Sequence, residues 1–584
     1  MKRGRTIAAV LLLAGAAVLF TVQRAQVSAE ISPRPLLYLL ADTQRELERI
    51  PLRLTRVSDE EENQIGEQLA RSYGWAPERL GTAESQKIAA YVRGVGLRVA
   101  VSAKRQRIRY RFYYRDEKYF CNAGALPGGQ ILIGHGLLEL MRSEDELASV
   151  LAHEIVHVDQ RHAIERFQYE MKSRQLGMRG LYRLAQMGVQ LYQASYSKEQ
   201  EDEADRLGLE LAVAAGYSPA GAVDFMTRFE LLRGGTQRPA DSPAEEILRL
   251  PGQALGEYFR SHPTTQQRIV SVQKEIAARG WNAAQAQRPM PIRSVFLAER
   301  AEQLDKRGLF DRAAELFEEA LKIEPNDASV WRKLARTRWR SGDTAKTVDA
   351  ATGAVQRDAS QIEAWRLLAQ ALAAEGGPSA PARFQQVAGT TPALDTHSAA
   401  AIRVEQAGLA YKQGERRMPQ ALAPWLHPGI PLRTRVMVHR RMAWWMYRAG
   451  DLETAEQLLE RAAELDPTDT LIPYELAWVQ SDAGKQASAQ ANLRTASASD
   501  ADRGALEAVI LARIEKQKDA EAAFEQAARE DPVWMVEAWV RHSYSAEAAA
   551  VLSKLRTAEL ARRRQADIRA GRAPSASATR PDNN

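Results

Sequence analysis

The sequence predicts a mainly α protein: an α+β domain, helical with a small sheet, followed by a C-terminal α-solenoid. Three observations carry this. Helix and strand periodicities mix over residues 60–290. From about 294 onward the segments turn helical and alanine-rich. Within that second part glycines recur at a 34-residue step, Gly308, Gly342 and Gly376, the sign of stacked units. With 584 residues the chain exceeds what one core accommodates. A composition 45% hydrophobic and 26% charged excludes disorder on the scale of the whole chain.

At the N-terminus Lys2, Arg3 and Arg5 precede an apolar run, Ile7 to Val22, and Val27-Ser28-Ala29 supplies small residues for cleavage. Residues 1–29 read as a cleaved secretory signal, which predicts export to the periplasm; the alternative is an uncleaved inner-membrane anchor. Removing their four basic side chains brings the net charge from +6 to +2. A nearly neutral mature chain removes the case for nucleic-acid binding. A single cysteine, Cys121, allows no internal disulfide and is expected to be a buried small hydrophobe.

Residues 30–59 form an N-terminal segment, and 60–290 the first domain. There "RIRYRFYYR" (Arg107–Arg115) alternates apolar and basic residues, a half-buried strand. Pro127-Gly128-Gly129 is a turn, Gln130–Gly134 a short strand, and Gly136 onward a helix. Ser143 and Glu146 make a capping box that starts the next helix. "LYRLAQMGVQLYQASY" (Leu181–Tyr196) is amphipathic, either a membrane-surface segment or a lid. The repeats occupy 291–385 and 431–560, with 386–430 a linker or irregular repeat and 561–584 a disordered tail. In the first unit Phe310, Ala313, Phe317, Ala320 and Pro325 sit at tetratricopeptide-repeat offsets, and Gly450 and Gly484 reproduce the 34-residue step in the second block. Each such hairpin is too small to bury its own face and must stack on a neighbour.

The stretch richest in chemistry is "SVLAHEIVHVDQRH" (Ser149–His162), which contains H-E-x-x-H. On a helix, His153 and His157 share a face and can reach one ion. Glu154 stands beside them as the base for a water. Leu147, Val150 and Leu151 make the helix buried, and buried histidine and glutamate need partners. A catalytic zinc takes three protein ligands, so a third must lie elsewhere. The carboxylate-rich helix Ser197–Tyr217 offers Glu201 and Glu203. His162 and Arg161 are expected to be structural, and His135 a packing or surface residue.

"HEIVHVDQRH", then "EDEAD", then "SHPTTQQRI" together resemble the HtpX/BepA-type family of zinc metalloproteases, whose BepA-like members join the peptidase to tetratricopeptide repeats. The resemblance covers about residues 60–275 in motif order. It implies a zincin-like metallopeptidase domain with one Zn²⁺ per chain, held by His153, His157 and Glu201. Asp205 would then hold a ligand histidine's other nitrogen. Gln130, Ile131, Leu132, Ile133 and Gly134 would form an edge strand that pairs with substrate backbone. His262 is a candidate latch or fourth ligand, with substrate binding or helix capping as alternatives. The implied function is a zinc endopeptidase acting on unfolded or misassembled envelope proteins. A partner would dock on the repeats, outer-membrane assembly machinery being the candidate, and peripheral membrane contact is compatible with the sequence. The alternative is a repeat-based chaperone with a latched or silent site.

Overall fold

The computed structural model describes residues 57–75, 81–173, 196–235, 262, 266–390 and 394–570. The expected leader 1–29, nearly all of Leu181–Tyr196 and the end of the tail, 571–584, lie outside the described residues. The chain forms two compact units, 1–290 and 291–584. Among the described residues no helix is long and apolar enough to cross a membrane.

In the first unit, α1 (Asp59–Ser72) opens on a reciprocal cap: the Glu61 N–H donates to Ser58 Oγ at 3.2 Å, and the Ser58 N–H donates to the Glu61 carboxylate at 2.9 Å. After α2 (Ala83–Ala100) comes β1 (Arg111–Arg115), shorter than the alternation predicts. The Ile108 N–H is committed to a turn with Arg105 and the Arg109 N–H to Asn63 Oδ1, so neither is left for a ladder. β2 (Ala123–Leu126) and β3 (Gln130–Gly134) follow, joined through the turn at 127–129.

The sheet order is β1-β3-β2, with β3 parallel to β1 and antiparallel to β2. This corrects the expectation for Gln130–Gly134. The strand is central, paired on both sides, and its five residues are all buried, so it has no free edge to offer a substrate. Even Gln130 is internally satisfied, accepting from Tyr113 Oη and donating to the Gly128 carbonyl.

Helices α3 (His135–Glu139), α4 (Glu144–Asp159), α5 (His162–Ser173), α6 (Lys198–Ala214), α7 (Ala220–Gly235) and α8 (Gln266–Ala278) complete this unit. The α4 capping box forms only by half. The Glu146 N–H donates to Ser143 Oγ at 3.1 Å, while the Glu146 carboxylate is drawn to Arg228 at 2.6 and 2.9 Å. Cys121 is buried and forms no disulfide.

Helices α4 and α6 cross where Gly208 faces the backbone of His153. A Cβ at Gly208 would lie 3.0 Å from the His153 nitrogen and 3.1 Å from its Cα. Absence of a side chain there lets the two helices approach closely enough for α6 to deliver carboxylates to the histidines of α4.

The second unit begins with helical hairpins: α9 (Arg293–Lys306), α10 (Phe310–Ile323), α11 (Ala328–Arg340), α12 (Thr344–Arg357) and α13 (Ile362–Glu375). Asp327 and Asp343 cap α11 and α12 through their carboxylates. Small residues at the repeat offsets, Ala313, Ala320 and Ala354, are fully buried at the crossings. The interval 386–430 is helical in large part: α14 (Ala380–Ala388) runs into it, and α15 (Thr396–Lys412) and α16 (Met418–Leu422) lie within it. A second run follows: α17 (Leu432–Arg448), α18 (Leu452–Leu465), α19 (Ile472–Asp482), α20 (Gln486–Thr495), α21 (Asp500–Arg513) and α22 (Gln517–Glu530). It ends in α23 (Glu537–Ser543) and α24 (Ala546–Arg569). The helix α24 corrects the expected start of the disordered tail. Residues 561–569 are helical, pinned by Arg562 and Arg563 pairing with Glu559 one turn back.

The chain between α22 and α24 packs back on the first repeats. Arg340 pairs with Asp531 at 2.8 Å, a Cβ on Gly308 or Gly342 would press on Pro532 or Ala538, and Phe310 joins the core built by residues 477–555.

Overpacking a tight helix crossing costs about 1–3 kcal/mol. Gly208→Val is therefore expected to lower the melting temperature of the first unit, whereas Gly81→Ala, with nothing within 4 Å of the new carbon, leaves it unchanged. Thermal unfolding followed by circular dichroism checks both.

Candidate metal centre

Helix α4 places His153 and His157 on one face, as their spacing demands, with Nε2 atoms 3.0 Å apart. Glu201, on the first turn of α6, brings Oε1 within 3.4 Å of His157 Nε2 and Oε2 within 3.6 Å of His153 Nε2. His262 joins them, its Nδ1 2.9 Å from Glu201 Oε1 and 3.3 Å from His153 Nε2. One donor atom from each of these four buried residues lies within 4.8 Å of the others. The structure therefore brings His153, His157, Glu201 and His262 together. It places the remaining predicted residue of the group, Asp205, just behind them. Strand β3 contributes none of these donors.

The partners behind His153 and His157 assign their ring protons. Asp205 Oδ1 lies 3.1 Å from His153 Nδ1. A carboxylate accepts, so Nδ1–H donates and Nε2 faces the cluster with its lone pair. His157 is set by a longer chain of contacts. His162 Nε2 lies 3.2 Å from the Glu203 carboxylate, and burial pushes the His162 pKa down to about 4, the Glu203 charge offsetting only part of it. His162 is thus neutral with its proton on Nε2, which leaves Nδ1 as an acceptor 3.1 Å from His157 Nδ1. His157 donates there and turns Nε2 inward as a lone pair. Glu203, a rival ligand by sequence, instead stands two steps back, and His162 does more than pack.

Arg268 went unremarked in the sequence although it sits in "SHPTTQQRI". From α8 it grips Asp205 through Nε at 2.6 Å and Nη2 at 2.7 Å, and reaches Glu201 Oε2 through Nη1 at 2.7 Å. Tyr196 stacks on His157 with ring centres 3.6 Å apart and carries the Arg166 guanidinium on its ring at 4.1 Å. No spacing rule marks either residue. His135 takes the packing role, its Nδ1 2.7 Å from Tyr114 Oη.

Burial raises the pKa of Glu201, but His262, Arg268 and His153 outweigh it and hold the carboxyl well below its usual range. Burial lowers His153, but Glu201, Asp205 and Glu154 reverse the sign, so its pKa is raised. For His157 burial prevails and the pKa falls well below the ordinary value. A metal ion entering the cluster must displace the proton that His153 holds at low pH, so uptake weakens on acidification.

The residues fit a metal. Imidazole nitrogen and carboxylate oxygen are zinc's usual donors, and both Glu154 carboxylate oxygens are buried without a hydrogen-bond partner among the described residues, an arrangement that costs free energy unless something further fills the site. His262 Nε2 lies 3.4 Å from Glu154 Oε1.

Comparison with known proteins agrees with this geometry. Residues 86–276 match the family description "Peptidase family M48", and residues 295–337 match "Tetratricopeptide repeat". The "Beta-barrel assembly-enhancing protease" of Yersinia pestis is 29% identical over 203 residues, 30% of this chain and 40% of that one. Its namesake in Escherichia coli (strain K12) is 26% identical over 221 residues, 35% of this chain and 40% of that one. The "Mitochondrial metalloendopeptidase OMA1" of Arabidopsis thaliana is 31% identical over 153 residues, 25% of this chain and 28% of that one. The matched part thus spans less than half the length of each of these relatives. The chain carries a peptidase family M48 metallopeptidase domain followed by tetratricopeptide repeats.

Proposed function

We propose that the protein is a zinc-dependent endopeptidase of the cell envelope, cutting unfolded or misassembled proteins that its repeats dock, outer-membrane proteins among them. The observation that carries this reading is the fully buried Glu154 carboxylate, which has no hydrogen-bond partner among the described residues, beside four converging donors. A structural metal site has no use for a free base; a hydrolytic one requires it. The printed names of the relatives, a protease that enhances β-barrel assembly and a mitochondrial metalloendopeptidase, support the substrate class and the outer-membrane assembly machinery as partner. The leader-like residues 1–29 support a periplasmic location.

His153, His157 and Glu201 would hold the ion through Nε2, Nε2 and a carboxylate oxygen. Zinc bound there lowers the pKa of a water and polarises the scissile carbonyl. Glu154 accepts the proton from the attacking water and returns it to the leaving amine. Asp205 and the Glu203–His162 pair keep the two imidazoles in the ligating tautomer. Arg268 fixes the orientation of Glu201 and neutralises the Asp205 charge.

His262 acts as a latch in this reading. Its contacts with both Glu201 and Glu154 put it where water and substrate would have to enter. The same contacts favour a second reading, a repeat-based assembly factor or chaperone whose site is held shut.

Zinc content and casein cleavage by the purified chain separate the two. Glu154→Gln is expected to retain one zinc per chain and lose cleavage by about 10²–10⁴-fold, the usual contribution of a general base. His262→Ala is expected to retain zinc and cleave faster than the parent. Zinc without cleavage in every variant identifies the chaperone reading, and a chain that binds no zinc overturns the metal centre. Behind the ligands, Asp205→Ala and His162→Ala are each expected to weaken zinc binding by about 10–100-fold, measured by competition with a chromophoric chelator. Affinity should fall as pH is lowered, because protonated His153 competes with the metal.

A further inference from the structure

His157 and His162 meet through their Nδ1 atoms, yet they stand five residues apart. On an unbroken α-helix that separation turns two side chains about 140° away from each other. The reversal between α4 and α5 is what brings them together. Its pivot is Arg161, whose φ of 66° lies in the left-handed region. The Arg161 N–H closes the end of α4 on the Val158 carbonyl, and the Arg161 carbonyl accepts the Glu165 N–H of α5, each at 3.0 Å.

Just past a helix C-terminus glycine is the usual residue, because a Cβ disfavours positive φ. A side chain held there needs support from outside the turn. The Arg161 guanidinium finds it at the start of α1. Its Nη1 donates to the Val57 carbonyl at 2.9 Å, its Nη2 donates to Asp59 Oδ1 at 2.9 Å, and Nη1 lies 3.5 Å from Glu62 Oε2.

The same two carboxylates hold a second arginine. Arg105 Nη2 lies 2.6 Å from Asp59 Oδ1 and also meets the Glu62 carboxylate, while its Nη1 donates to the Val158 carbonyl at 2.7 Å. Asp59 and Glu62 thus grip the last turn of α4 and the pivot after it through two guanidinium groups. Glu62 is fully buried, so its charge depends on these partners. Burial raises the pKa of Asp59, but Arg105 and Arg161 outweigh it and lower it. Helix α1 lies ahead of residues 86–276, the span that matches the peptidase family, so this grip comes from outside the matched part of the chain.

We propose that Arg161 is a positioning residue of the metal centre: clamped in its left-handed turn by Asp59 and Glu62 of α1, it sets His162 against His157 and so aims the His157 ring. The proposal rests on the reading of that centre as a zinc site. It makes α1, which supplies none of the four donors, part of the support of one ligand.

The test measures the zinc affinity of the full-length chain by competition with a chromophoric chelator, with thermal melting to show that each variant is folded at the assay temperature. Arg161→Ala should weaken zinc binding by about tenfold, the size expected when a ligand loses its support. Arg161→Gly also lacks the guanidinium but adopts positive φ freely, so it should recover most of that loss. Asp59 is partly exposed, and Asp59→Ala should weaken binding with little disturbance to the fold. The His162→Ala chain separates positioning from general loosening. In it, neither Arg161→Ala nor Asp59→Ala should weaken binding further, because the route to His157 is already cut. Unchanged affinity in Arg161→Ala or in Asp59→Ala, no recovery in Arg161→Gly, or an equal further loss in the His162→Ala chain overturns the proposal and leaves the zinc site standing. A parent chain that binds no zinc overturns both.

Discussion

Charge compensation in a water-poor space governs the first unit. Glu201, Asp205, His153 and Arg268 are all buried, and each is tolerable only because the others are present. Arg268 spans the two carboxylates, Asp205 spans Arg268 and His153, and Glu201 faces both histidines. Removing any one leaves a buried charge without its counterpart. The arrangement also fixes where α4, α6 and α8 must lie, since each helix supplies a member of the set. The fold around the centre follows from this: a glycine at the α4–α6 crossing allows the approach, and the small sheet backs the helix that carries the histidines.

One consequence is that the two imidazoles that would hold a metal are oriented from two independent sides. His153 is held through Asp205 and α8; His157 is held through His162 and Glu203, and by the stacked ring of Tyr196. Either support keeps an Nε2 lone pair aimed inward, so the pair of imidazoles does not depend on the ion to be placed correctly. Such preorganisation spares the binding event the entropy of ordering its ligands.

Much of this was legible in the sequence, and the rest was not for identifiable reasons. The four-residue step between His153 and His157 fixes their common face on any helix. The 34-residue step fixes the repeats, because it recurs in the same phase in two separate blocks. Glu201 against Glu203 could not be decided by counting alone: both sit on one helical turn, and only the crossing with α4 determines which points inward. Arg268 carried no signal because a lone arginine after a histidine-proline pair has no local partner; its partners lie more than sixty residues away. The strand Gln130–Gly134 was misjudged although its pattern held a warning. A strand with one open edge and one solvated face alternates, whereas this one is apolar from Ile131 to Ile133 without a break, the pattern of a strand covered on both faces. Strand order is a tertiary fact, and in a three-stranded sheet one position decides whether an edge exists.

The packing of residues 531–545 onto the first repeats has a further implication, for how the solenoid comes apart. An open array of repeats has two ends, and its terminal units can melt singly, the rest remaining folded. Here the end of the array lies against its beginning, and Phe310 of an early hairpin shares a core with Trp534 and Leu552. Neither terminus is free to fray on its own, since each covers apolar surface of the other. The array should then behave as a single cooperative body rather than as a row of nearly independent modules, despite being written as a row in the sequence. The cost falls on folding kinetics: contacts between residues more than two hundred positions apart close a long loop before they stabilise anything, so the last helices to be synthesised are also the ones that complete the first.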